Sequence, residues 1–361
     1  MPTNEYFSPD YASARERFLS AAARAQAATT SYILPDHRGP GGETLSLDVA
    51  QLGAAEAQSA LLVIAGTHGV EGLAGSGCLV GLLEDRLRDA LPASGCLVLL
   101  HAINPYGFAW LRRVTEDGVD LNRNFVDFSG PLPSSEAYER LHDWLVPQAW
   151  EGEIRQAADA ALGEHAQQHG FAALQAAVSS GQYTRPGGLF YGGVRATWSA
   201  RTLLQILREV LPSTVRRLAV LDLHTGLGPP AYGEPILDAA DPLARERALR
   251  WYGPDARDLS AGESVSARLT GTIARGIERA RPELELTCIG LEFGTRPVME
   301  VLTALRADHW LHLHGTPDSA AGVQIRQQMR AAFYSDAPAW QAAVYGRTSD
   351  LAYRALRGLG G

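Results

Sequence analysis

Lysine is absent from this chain; all 32 basic residues are arginine. That excludes Schiff-base chemistry, a pyridoxal-phosphate anchor and a P-loop, each of which needs a lysine amine. Cysteine is scarce too. Cys78, Cys96 and Cys288 form an odd, sparse set inside apolar stretches, which argues against a disulfide framework and predicts buried thiols in a reducing cytoplasm. No apolar run reaches membrane-spanning length, and MPTNEYFSPDYASARERF at the start lacks the charged-then-apolar pattern of a signal segment. A basic surplus is missing as well, since a net charge of −8 and a pI of about 5.7 speak against a nucleic-acid surface.

Apolar sequence, by contrast, is plentiful. A chain of 361 residues with 46% hydrophobic content can bury a large core. ETLSLDV (Glu43–Val49) alternates like a half-exposed strand, and ALLVIA (Ala60–Ala65) reads as a fully buried one. Helical spacing takes over at Leu73–Leu91. Cys96–Ile103, Arg217–Leu223 and Leu284–Phe293 read as further buried strands, and Ser199–Leu211, Ser264–Arg281, Pro297–His309 and Ala320–Tyr334 as helices. Buried strands interleaved with helices predict an α/β three-layer sandwich around a central mixed, largely parallel sheet. The Ala-, Gln-, Glu- and His-rich stretch at about 129–193 reads as a mainly helical insertion within a single domain spanning 1–361.

Each core strand ends in a polar cluster. GTHGVEG (66–72) comes after the first buried strand, and NPYGFAWLRRVTEDGVDLNRNF (Asn104–Phe125) after the second. HTG comes after the third and EFGTRP after the fourth. Ligands of open α/β sheets bind at the carboxyl ends of the strands, so four such clusters predict one convergent site. His68 and Glu71 could reach one ion, with His224 at an equivalent strand end; two histidines, one glutamate and an open position make a catalytic zinc set. On the residues alone a second reading stays open, in which these are polar turns capping buried strands.

In order, HGVEG, NPYG, an arginine, GVDLNRNF, a strand-end histidine and a strand-end glutamate resemble the zinc carboxypeptidase superfamily, which includes carboxypeptidase A and the succinylglutamate desuccinylase and aspartoacylase branch. The pattern is most similar to an uncharacterised bacterial branch of it. The resemblance implies that His68, Glu71 and His224 hold one zinc ion and that Asp120 orients the first histidine. It further implies that Asn122 and Arg123 grip a substrate carboxylate, that Arg113, with Arg112 a close rival, polarises the scissile carbonyl, and that Glu292 is the general base and acid for the attacking water. Arg296 in GTRP is a candidate for a second carboxylate contact. Together these roles imply a cytoplasmic zinc-dependent hydrolase cutting an amide beside a free carboxylate. Its partner is a small peptide or an N-acyl amino acid, with no nucleic acid or membrane, and a homo-oligomer is left open. A metallocarboxypeptidase is narrowly preferred, an N-acyl-amino-acid deacylase is the enzyme alternative, and a ligand-binding relative without turnover is the third.

Some features depart from the pattern. About ten residues separate Arg113 from Arg123, closer to the deacylase branch. Tyr232 and Tyr252 are the candidates for a covering tyrosine. The insertion is far longer than in simple peptidases and is expected to roof the pocket. HWLHLHG (His309–Gly315) is read as histidines at a helix C-terminus rather than a second metal site. GGLFYGG (Gly187–Gly193) is read as a rigid aromatic turn lining the pocket rather than a phosphate loop.

Overall fold

Ser59–Ala65 is buried along its whole length, and its alternate residues feed two different cores. Leu61, Val63 and Ala65 face one layer of helices, while Ala60, Leu62 and Ile64 face the other. The two-residue period of a strand covered on both faces requires this. In the computed structural model, which describes residues 2–262 and 264–361, this strand is the third of an eight-stranded sheet. The strands are β1 (Ala28–Arg38), β2 (Thr44–Gly53), β3 (Ser59–Ala65), β4 (Gly95–His101), β5 (Arg217–Pro230), β6 (Gly233–Leu237), β7 (Arg257–Asp258) and β8 (Glu285–Gly294). Their spatial order is β1-β2-β4-β3-β5-β8-β6-β7. β4, β3, β5 and β8 run parallel, β2 is antiparallel to both β1 and β4, and β6 is antiparallel to β8.

One face is covered by α1 (Tyr11–Arg24), α2 (Gly72–Glu84), the short α3 (Pro105–Ala109), α8 (Pro242–Tyr252) and α12 (Pro338–Gly360). The opposite face is covered by α7 (Trp198–Glu209) and α9 (Ile273–Ala280). A third cluster gathers around Val70, in the turn after β3. There α4 (Glu136–Leu145), α5 (Gly152–His169) and α6 (Phe171–Ser179), all between β4 and β5 in the chain, pack with α10 (Val298–Leu313) and α11 (Ala320–Phe333). The expected α/β sandwich with a mixed sheet is what forms. Among the described residues no helix is long and apolar enough to cross a membrane.

Two local expectations need correcting. β2 is not half-exposed: α1 covers its second face, with Tyr11 Oη donating to the Ser46 carbonyl at 3.1 Å and Arg15 Nε 2.7 Å from Asp48 Oδ2. The polar residues of the alternation are therefore inside and paired. The helix expected over Ser264–Arg281 is confined to Ile273–Ala280. Ahead of it the chain is held as a loop, with Val265 N donating to Glu234 and Thr270 N to the Ser180 carbonyl, until Thr272 caps the helix.

This topology makes the site. From β3 the chain passes through α2 to β4 on one side, while β5 lies on the other. Between such strands the carboxyl ends open into a crevice. In the neighbouring parallel pair, His224 of β5 stands opposite Glu292 of β8.

Candidate metal centre and active site

At the end of β3 the chain turns on Gly66, at φ +75°. A Cβ on Gly69 would lie 2.0 Å from the Gly107 carbonyl carbon, so only glycine lets this turn sit against the start of α3. The arginine loop pins the turn from behind, with Gly69 N donating to the Arg113 carbonyl and Val70 N to that of Arg112. His68 and Glu71 are thereby fixed, both buried, facing His224 at the same level of β5.

The ligand atoms converge. His68 Nδ1 is 2.9 Å from Glu71 Oε1, His224 Nδ1 is 3.1 Å from Glu71 Oε2, and the two Nδ1 atoms are 3.2 Å apart. Bonds of ~2.0–2.1 Å at tetrahedral angles place ligand atoms about 3.3 Å from one another, so the set fits a zinc ion. The outer nitrogens face charged side chains. His68 Nε2 lies 2.8 Å from Arg113 Nη2 and 3.2 Å from Asp120 Oδ1, and His224 Nε2 lies 2.8 Å from Asp222 Oδ2. With its Nε2–H donated to Asp222, His224 presents the lone pair of Nδ1 to the centre. Asp222 is held in turn by the Thr67 hydroxyl at 2.6 Å.

The charges balance locally. Burial alone would raise the Glu71 carboxyl, but the facing imidazoles bring it down to about 2. Burial likewise opposes the charge on Asp120, yet Arg113 and His68 hold it well below the usual carboxylate range. Glu292 behaves oppositely: the enclosing pocket and the nearby Glu71 charge push its carboxyl up to about 7. Leu227 N donates to it at 3.0 Å, which fixes its orientation.

The other predicted residues divide. Arg113, Asn122 and Arg123 line the same cavity as His68, His224 and Glu292. Arg113 donates through Nε to Asp120 (2.9 Å), reaches Glu71 at 3.3 Å and lies over the Phe190 ring. Arg123 is buried and donates to the carbonyls of Ser179 and Asn122, and the enclosure lowers its pKa to about 10. Asn122 Oδ1 accepts from Ile273 N at 2.9 Å, leaving its amide nitrogen for a ligand. Arg112 faces the other way, paired with Asp308 at 3.0 Å, away from the lining residues. Arg296 is exposed and outside the lining, 3.4 Å from the Ala331 carbonyl. Neither Tyr232 nor Tyr252 is among the lining residues. Asp222 belongs to none of the sequence motifs, although its place two residues before His224 on one strand face marks it as a partner. His309 is buried against the Gly187 carbonyl, with His312 in the last turn of α10. Phe190 lines the cavity, as do Phe171, Leu174 and Val178 of α6.

A family model described as "Protein of unknown function (DUF2817)" matches residues 7–347. No curated protein matches the chain. Among solved structures, bovine thrombin-activatable fibrinolysis inhibitor, in complex with tick carboxypeptidase inhibitor, is similar at 12% identity and a TM-score of 0.44, covering 95% of this chain and 96% of that one. An aspartoacylase family protein from Mesorhizobium loti is similar at 17% identity and a TM-score of 0.36, covering 79% and 67%. A metallo-carboxypeptidase from Burkholderia cenocepacia is similar at 13% identity and a TM-score of 0.38, covering 92% and 68%.

Proposed function

We propose, for a chain that belongs to the DUF2817 family, a zinc-dependent amide hydrolase acting beside a free carboxylate. The observation that carries this is the convergence of His68, Glu71 and His224, backed by Asp120 and Asp222, in one cavity with Glu292, Asn122 and Arg123.

His68, Glu71 and His224 would hold the ion, which when bound supplies a Lewis acid that acidifies water and polarises a carbonyl. Asp222 fixes the tautomer of His224, and Asp120 and Arg113 hold the ring of His68 in place. Glu292, with a carboxyl near neutrality, accepts the proton of the attacking water and returns it to the leaving nitrogen, a role typically contributing ~10²–10⁴-fold. Asn122 and the remaining N–H groups of Arg123 bind the substrate carboxylate, so that the amide is presented to the centre rather than left to chance encounter. Arg113, already neutralising Asp120 and Glu71, adds the positive field beside the developing oxyanion. Within this reading, α6 over the cavity favours an N-acyl-amino-acid deacylase over a metallocarboxypeptidase, since a peptide needs an open groove for its upstream residues.

The test is Glu292→Gln. Metal analysis by mass should find about one zinc per chain in both proteins, with hydrolysis of N-acyl amino acids and C-terminal dipeptides lost only in the variant. A variant that turns over at the parent rate removes Glu292 as the base.

A further inference from the structure

A glycine inside a strand gives up packing and backbone order, so its presence calls for a reason. Gly66 and Gly69 have theirs, in a positive φ and in a close backbone approach. Gly290 has neither. It stands in the middle of β8, with β5 on one side and β6 on the other, and its φ is not positive. A Cβ there would meet only His224 Cδ2 at 3.6 Å and the Ile236 carbonyl oxygen at 4.0 Å, which are ordinary van der Waals contacts. Alanine would fit. The position is bare all the same, half-buried between two buried neighbours, and it lines the cavity.

The period of the strand fixes what lies to either side. Toward the carboxyl end the next residue on this face is Glu292, opposite His224. Toward the amino end it is Cys288, alongside Asp238, which follows directly on the Leu237–Ile289 pair of β6 and β8. Asp238 accepts from the Thr272 hydroxyl at 2.6 Å, and the next residue, Ile273, donates its N–H to Asn122 Oδ1 at 2.9 Å. Gly290 thus lies between the base with its metal ligands and the residues that lead to the carboxylate clamp. Flanking it across the sheet are Asp222 and Ile236. The Asp222 carboxylate is engaged by His224 and Thr67, and that of Asp238 by Thr272 and Arg275, so neither offers a free charge.

We infer that Gly290 is a specificity-determining residue: the notch it leaves seats an uncharged side chain larger than methyl, carried by the α-carbon between the scissile amide and the bound carboxylate. The inference rests on the amide-hydrolase reading and adds the amino-acid side of the substrate to it. A substrate that reaches from Glu292 to Asn122 crosses Gly290, and the atoms that cross are the α-carbon and its substituent. Each methylene buried there gains about fourfold. A methyl group on residue 290 takes about one methylene's worth of that room.

The experiment compares the zinc-loaded protein with Gly290→Ala on N-acetyl derivatives of glycine, alanine, norvaline and leucine, with the unfolding midpoint and zinc content of both recorded. In the parent, kcat/KM should rise about fourfold per added methylene. In Gly290→Ala the leucine-to-glycine ratio should fall about fourfold, with zinc at the parent's content. The midpoint should hold or rise by about one to two degrees, because alanine restricts the unfolded chain. A purely structural glycine gives the reverse, a lowered midpoint with an unaltered ratio, and that result overturns the inference. So does a shift confined to a second series, acetyl, butyryl and hexanoyl glycine, which would put the notch on the acyl side. Calorimetric binding of N-acetylleucine and N-acetylglycine, in a Glu292→Gln background with and without Gly290→Ala, separates the notch from hydrolysis. A preference for leucine that Gly290→Ala levels sustains the notch even if the parent hydrolyses none of these compounds, and then only the hydrolase reading falls. Equal binding of the two compounds sinks the inference.

Discussion

Asp222, His224 and Glu292 stand on neighbouring parallel strands, β5 and β8, whose backbones are locked in register by ladder hydrogen bonds. Leu174, Val178, Val301 and Leu305 stand on helices that reach the sheet through the third apolar cluster. The first group belongs to a floor of charge, where the imidazoles of His68 and His224 and the carboxylates of Glu71, Asp120 and Asp222 pair within about 3 Å of one another. The second forms a roof of hydrocarbon. Chemistry needs atoms placed to fractions of an ångström, and a sheet supplies that; selecting a substrate's shape needs volume and polarity, which packed helices supply.

Three substitution experiments can break or sharpen this division. The largest effect is expected from Leu174→Ala in the roof. It should cost about 3 kcal/mol of unfolding free energy through the cavity it leaves, measured by urea titration, with zinc affinity unchanged. Should zinc affinity drop with it, floor and roof are not separable. Next is Asp222→Asn in the floor, which keeps the shape and loses the charge that orients His224. Zinc affinity should weaken ~10–100-fold by chelator competition, and an unaltered affinity removes Asp222 from the metal's support.

The last comparison, read as a slope against pH, concerns two buried histidines, one in each region. His101 of β4 is stacked on Phe18, and His309 of α10 bonds to Gly187 in the insertion. Burial lowers each to about 4, against 6.5 unperturbed. Above 6.5 both are neutral folded or unfolded and cost nothing. As pH falls from there toward 4 the unfolded chain takes up protons that the folded chain refuses, so stability is lost at up to ~1.4 kcal/mol per pH unit for each. His101→Gln and His309→Gln should each flatten the same acid limb equally if sheet and insertion unfold together as one domain. A limb that responds only to His101 would mean the insertion melts on its own.

The floor is legible in the sequence because its signals are local. A run such as Ala60–Ala65 announces a buried strand, and the polar residues just past it announce the crevice. The neighbouring arginines are not separable on that basis. Arg112 and Arg113 carry the same charge in the same loop, and only the fold turns one to Asp308 and the other to Asp120. β1 has no clear signature because it is an edge strand with most residues exposed, so nothing selects an apolar alternation there. Asp222 is marked only by the strand period, which puts it on the same face as His224; no motif contains it. The roof is legible only as helical composition, because which helix faces the cavity depends on contacts between segments far apart in the chain, such as Gln175 with Val265.

Arg123 is held by the carbonyl of Ser179, the last residue of α6, through both Nε and a terminal nitrogen. A long, flexible side chain of this kind ordinarily gives up about 2 kcal/mol of rotational freedom when it closes on an anion. Here that ordering is complete once the protein has folded. In the proposed hydrolase an arriving anion would meet a fork already set at its angle, and the end of α6 would decide how firmly that fork stands.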